Sequence, residues 1–282
     1  ASVAYQAWGA DIGLNSGLRT RLTAAREGFG LLGVVLAAAL PTLLAVDLSE
    51  GIARLSWILP PLLLVAAITT FAGVGFKRTT ALPSALLPDH SGSASLLPSL
   101  RRVLADVAFR RLLGVFVANG IASALPATLF LFFVADILQL EKASGPLLAL
   151  YFVAGAASLP LWIKLSTRFG RVYAWLGAIV LSIFAFAGAS LLGSGDLLPF
   201  AAICIASGLA LGADLALPAA IAADLGERQG QAGACFGVWN FVAKLNLALA
   251  AGLALPLLGL LGYVPGGGAG LASLTFAYAL LP

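Results

Sequence analysis

Along this chain the apolar residues gather in runs of about twenty, broken by short clusters of charge, glycine and proline. They neither alternate, as a half-buried strand requires, nor keep to one stripe, as a helix on a soluble surface requires. Runs of that length predict helices that cross a bilayer. They lie near 25–46, 55–76, 112–137, 145–165, 172–192, 198–222 and 233–261, with an incomplete run before Leu14 and another starting near Gly268. Between 77 and 111 the pattern changes to a polar stretch with a Ser/Gly cluster and, near 97–108, an amphipathic helical rhythm. The expected organisation is a first group of spans in residues 1–76, a linker in 77–111, and a second group in 112–282 whose last span is incomplete.

Composition narrows the class. Of 282 residues 61% are hydrophobic and only 10% charged, with a mean hydropathy of +1.02; a soluble domain carries about a quarter charged residues. A water-soluble fold is thereby excluded, and the unbroken runs exclude an outer-membrane barrel. About nine spans also exclude a single-span receptor or an anchored enzyme.

The net charge of +4 would point to nucleic acid in a soluble protein. Here the alternation of loops explains it. One set of alternate loops holds about twelve basic residues, among them Arg19, Arg101, Arg111, Arg168, Arg171 and Arg228, whereas the other holds only Arg54 and Lys142. The first set is expected to be cytoplasmic, in a multi-pass protein of the cell inner membrane that has the bilayer, and no nucleic acid, as its partner. The chain has no Met and no signal peptide before its first span, which reads as a sequence cut at its start or one from which methionines were left out.

Charge within the spans carries the chemistry. Lys244 lies about eleven residues into its run, too deep to snorkel easily, and an ammonium there costs at least about 3 kcal/mol unless it faces a cavity or a carboxylate. One turn earlier on the same face is Asn240, with Trp239 beside it and Phe236 a further turn back. An ammonium, an amide and an indole suit a polyhydroxylated ligand with apolar ring faces. The alternative is an ion pair that joins two helices, with Asp214 the nearest partner by depth. Asp214 sits mid-span one turn before Pro218 and is a candidate to accept a proton or cation, or to pair with Lys244. Arg26 and Glu27 begin their run; Arg26 is a candidate to reach the cavity, and Glu27 reads as a carboxylate at a helix start. Asn119 is a further mid-span polar residue, open to a helix or a ligand. Gly208 with Gly212, and Gly233 with Gly237, have the spacing that lets helices approach closely.

Other chemistry is missing from the sequence. It contains no phosphate-binding Gly-rich loop with Lys-Ser/Thr and no H-E-x-x-H, and Cys204 and Cys235 sit inside apolar runs without metal spacing. His90, the single histidine, lies in the polar linker. The expectation is no enzyme, no catalytic residue, no metal and no cofactor.

Four stretches resemble a known family. A-Y-Q-A-W-G-A-D followed by R-T-R-L-T-A-A-R near the start, L-P-L-W-I-K-L-S-T-R-F-G-R at 159–171, L-P-A-A-I-A-A-D at 217–224, and F-G-V-W-N-F-V-A-K-L at 236–245 with L-G-Y-V-P at 261–265 are similar to the glycoside-pentoside-hexuronide:cation symporters, the melibiose-permease-like branch of the major facilitator superfamily. The resemblance implies an all-α polytopic membrane protein with a partial major facilitator fold, about nine of its twelve spans. Residues 1–76 would hold spans four to six of the first six-helix bundle, 77–111 the central cytoplasmic linker, and 112–282 the second bundle. It implies symport of a sugar or glycoside with sodium or a proton by a monomer that alternates its access. By the same resemblance Arg26, Asn240 and Lys244 match sugar-contacting positions, Lys244 lying between sugar and cation sites. Asp224 and Arg19 match cytoplasmic charges that lock the bundles, with Arg168 and Arg171 in the same gate. Two alternatives stay open: a carrier of a lipid or amphiphile on this fold, and a non-transporting membrane component.

Overall fold

The computed structural model describes residues 16–44, 48–74, 96–266 and 268–282. The expected span before Leu14, the linker residues 77–95 and His90 lie outside the described residues. Every regular element is a helix among the described residues: α1 (Ser16–Leu44), α2 (Leu48–Val74), α3 (Leu96–Ala105), α4 (Val107–Phe132), α5 (Ser144–Phe169), α6 (Arg171–Ala189), α7 (Leu197–Arg228), α8 (Ala232–Leu260) and α9 (Leu271–Thr275). Short π turns extend α4 through Phe133–Ile137 and α9 through Phe276–Leu280. Among the described residues five helical stretches are long and apolar enough to cross a membrane: Val107–Ile137, Glu141–Phe169, Arg171–Ala189, Leu197–Arg228 and Ala232–Leu249. The chain is a multi-pass, all-α membrane protein.

Two compact units emerge, residues 33–95 and residues 1–32 together with 96–282. In the smaller, Arg54 of α2 donates to the Leu44 carbonyl at the end of α1 at 2.7 Å and pairs with Glu50 at 2.6 Å. Residues 57–69 of α2 are apolar but for Thr69 and exposed, with Trp57 84% accessible, as expected where lipid or another helix is the solvent.

In the larger unit, α5 and α7 pack along a seam of small residues. A Cβ on Gly208 would collide with the Tyr151 carbonyl oxygen and come within 2.9 Å of the Ala154 Cβ; one on Gly212 would meet the Gly155 oxygen at 2.6 Å. Glycine at these two positions is what lets the backbones touch. The gap also exposes the Leu209 carbonyl to α5, and both Ser158 Oγ (3.1 Å) and Trp162 Nε1 (2.7 Å) donate to it. Gly233 and Gly237 share the spacing but have open space where a Cβ would go, so only the first pair makes a close crossing. The start of α1 joins this seam: Ala24 packs with Leu159 and Ala216, and Gly28 lies against Leu159.

Differences from the sequence reading lie at the helix ends. α1 begins at Ser16, so Glu27 is three turns inside the helix and not at its start; the apolar pattern missed those turns because they are polar. The amphipathic rhythm of 97–108 is split, since Asp106 leaves the helical conformation and accepts the Phe109 N–H at 2.8 Å, capping α4. The 32 residues of α7 span about 48 Å, against a hydrocarbon core of about 30 Å. It is therefore long enough to extend beyond the membrane, and its last turns carry Asp224 and Arg228.

Candidate functional site

Gly170 separates α5 from α6 with φ +89°, a conformation that glycine adopts without strain. The sharp turn sets Arg171 at the first position of α6, where the positive end of the helix dipole opposes a cation. Asp224, near the end of α7, compensates. Its carboxylate pairs with the Arg171 guanidinium, which also donates to the Ala220 carbonyl at 3.4 Å. The arginine side chain is 11% exposed and the aspartate 24%, so the pair is shielded without being sealed. It borders a cavity of about 620 Å³ whose polar lining includes Arg111 and Arg228 and whose apolar lining includes Leu112, Val115, Trp175 and Leu176.

The structure brings together two of the four gate candidates. Arg168 instead lies over the Phe169 ring, 5.3 Å from its centroid, and Arg19 belongs to α1 but its side chain lies outside the described residues. Arg26 pairs with its neighbour Glu27, Nε to Oε1 being 3.0 Å. Both are half-buried on the part of α1 that packs on α5 and α7.

On α8 the candidates face different ways. Trp239 is buried and stacks on Phe116 of α4, centroids 4.0 Å apart. Asn240 donates to the Phe236 carbonyl at 2.8 Å, one turn back on its own helix, and has further interactions. Lys244 is exposed. The ion pair anticipated between Lys244 and Asp214 does not form. Asp214 is held by Trp175 Nε1 at 2.6 Å and by Asn119, and among the described residues Lys244 has no acidic partner. Depth along two helices had suggested the pair; rotation about the helix axes decides against it.

Several residues that hold the site were not anticipated. Trp175 is one turn beyond Arg171 on α6, the spacing at which a helix brings two side chains to one face, so its position was accessible to inspection. Asn246 was not flagged by any charge pattern. It is buried, donates to the Phe116 carbonyl at 3.2 Å, and leaves its Oδ1 without a partner.

At the other end of the bundle Phe133 stacks on Tyr278 (4.1 Å) and packs against Phe200 (5.6 Å). Asp136 accepts from the Tyr263 hydroxyl and from the Gly266 N–H at 3.2 Å. Burial, and then the adjoining carboxylate, raise the Tyr263 hydroxyl well above the ordinary tyrosine range.

A bundle of membrane-crossing helices with arginines grouped at one end, a shielded ion pair there and polar side chains within the spans defines the class of multi-pass solute transporters. The family comparison agrees: the model of the MFS/sugar transport protein family matches residues 1–282. The chain belongs to that family, a family of transporters with the major facilitator fold. No curated protein matches the chain.

Proposed function

We propose that the chain acts in cation-coupled symport of a sugar or glycoside, with sodium or a proton as the coupling ion, by alternating access in the inner membrane and as a monomer. Residues 1–76 are the closing spans of one bundle, 77–111 the linker and 112–282 the other bundle. The observation that carries this reading is Lys244, an exposed ammonium far from either end of an apolar helix. Such a charge is expensive against lipid and is retained where a water-filled cavity or a bound polar solute receives it. Asn240, one turn away, adds an amide able to meet hydroxyls, and Arg26 offers a guanidinium held at half-burial by Glu27. Trp239 supports this surface from behind through its stack on Phe116. The Arg171–Asp224 pair is the part of the gate at the basic end that the described side chains bring together, and the family resemblance adds Arg168 and Arg19 to it.

The test is uptake by the complete gene product in proteoliposomes, with labelled glycosides, pentoses and hexuronates under imposed sodium or proton gradients. One solute accumulates, and Lys244→Ala abolishes its coupled uptake while the protein is still made. Normal accumulation by Lys244→Ala refutes the role of the lysine. No uptake of any sugar by a well-folded preparation overturns the substrate class.

A further inference from the structure

Asp214 is left unused by the reading above. It lies mid-helix in α7, and Pro218, one turn on, has no N–H to give to the Asp214 carbonyl. The carboxylate is held by neutral donors from two other helices, Trp175 Nε1 of α6 at 2.6 Å and the Asn119 amide of α4. From α5 the Tyr151 hydroxyl is the titratable group within electrostatic reach. Among the described residues no basic side chain of α4, α5, α6 or α8 pairs with it.

This set of partners suits a proton better than a permanent charge or a metal ion. A structural anion within a span would be matched by a Lys or Arg, whose charge offsets the cost of burial. A metal cation takes about six oxygen ligands; besides the carboxylate, the two donors offer one amide oxygen, and that only once the Asn119 side chain turns over, while the indole offers none. A proton needs only one carboxylate oxygen, and both protonation states then find partners. The anion accepts from both donors. The acid forms one O–H bond, which the Asn119 carbonyl can accept once the amide turns over, while the indole continues to donate to the other oxygen. Trp175 borders the cavity of about 620 Å³ at the basic end, and Asn119 borders a second of about 460 Å³ that shares Val115 with the first. Each donor thus stands beside a different space from which a proton can arrive or leave.

We propose that Asp214 is a proton-carrying site of this protein, with Trp175 and Asn119 as its positioning residues. Its place in a transport cycle rests on the symport reading; its chemistry does not. The complete gene product, reconstituted in lipid, is followed by infrared difference spectroscopy as the pH is changed. The C=O stretch of a protonated carboxyl appears and disappears with pH in the wild type and is lost in Asp214→Asn. In Trp175→Phe, which keeps the carboxyl, the band persists with a changed frequency and midpoint. An identical titrating band in Asp214→Asn, or an unchanged one in Trp175→Phe, overturns the proposal. Should Asp214→Asn fail to fold, Asp214→Glu retains a carboxyl and shifts the band, and an unshifted band overturns it. In the same vesicles Asp214→Asn reduces proton-driven accumulation of a labelled methyl glycoside to the equilibration level. A wild type that shows the band but moves no glycoside separates the two ideas: the sugar reading fails and the proton site stands.

Discussion

At one end of the bundle in the larger unit Phe133 lies flat on Tyr278 and against Phe200, all three buried, and Tyr263 closes over Asp136. At the other end the same bundle encloses a cavity of about 620 Å³, and Arg171 and Asp224 bridge α6 and α7 across its edge. The first end is held by interlocking rings, which have few alternative arrangements of similar energy because a shifted ring leaves a void. The second is held by charges that water and other charges can replace at little cost. The contrast makes the basic end the more easily rearranged of the two, the property that the proposed gate needs.

Phe133→Ala should cost about 3–5 kcal/mol, through lost contacts and the cavity left behind, and thermal unfolding in detergent should show it as the largest drop in midpoint. A drop no greater than that of the gate variants would remove the contrast between the ends. Gly208→Ala forces α5 and α7 apart at the Tyr151 carbonyl and should cost about 1–3 kcal/mol; its unfolding midpoint, compared with that of Gly233→Ala, which has room, isolates the seam.

Asp224→Asn leaves the Arg171 charge without its carboxylate. Because the aspartate is about a quarter exposed, the stability cost is discounted to about 1 kcal/mol. Its main effect should be on rate: turnover falls by about tenfold with little change in solute binding, and the exchange Arg171→Asp with Asp224→Arg recovers part of it. Equal loss of binding would make this a solute site instead of a gate. Tyr263→Phe removes one hydrogen bond to Asp136 and should cost about 1 kcal/mol without altering turnover, read from unfolding and uptake together.

The helical membrane class was legible in the sequence because lipid allows few solutions: a backbone without water must satisfy its own hydrogen bonds, so twenty apolar residues in a row announce a helix; the family was legible only through the resemblance of four stretches. The same pattern was blind to polar helical turns, which is why the start of α1 at Ser16 and the cap at Asp106 emerged only from the coordinates. Motif resemblance brought Arg171 and Asp224 into one gate, and they are paired. Spacing alone put Trp239, Asn240 and Lys244 near one another, yet Trp239 turns inward to Phe116 while Lys244 is exposed.

Read along the chain, the residues already specify the approximate limits of the five described membrane-crossing helices, the grouping of arginines on one set of loops, and the polar residues that a membrane makes expensive. These follow from hydropathy and charge counted along the chain, quantities that need no partner. Tertiary structure decided which polar residue meets which. Asp214 joins Trp175 and Asn119 in place of Lys244, and Gly208, unlike Gly233, becomes a crossing point. Depth in the membrane can be read from a sequence, but a hydrogen bond also depends on the rotation of each helix about its axis, and that angle is fixed only when the helices pack.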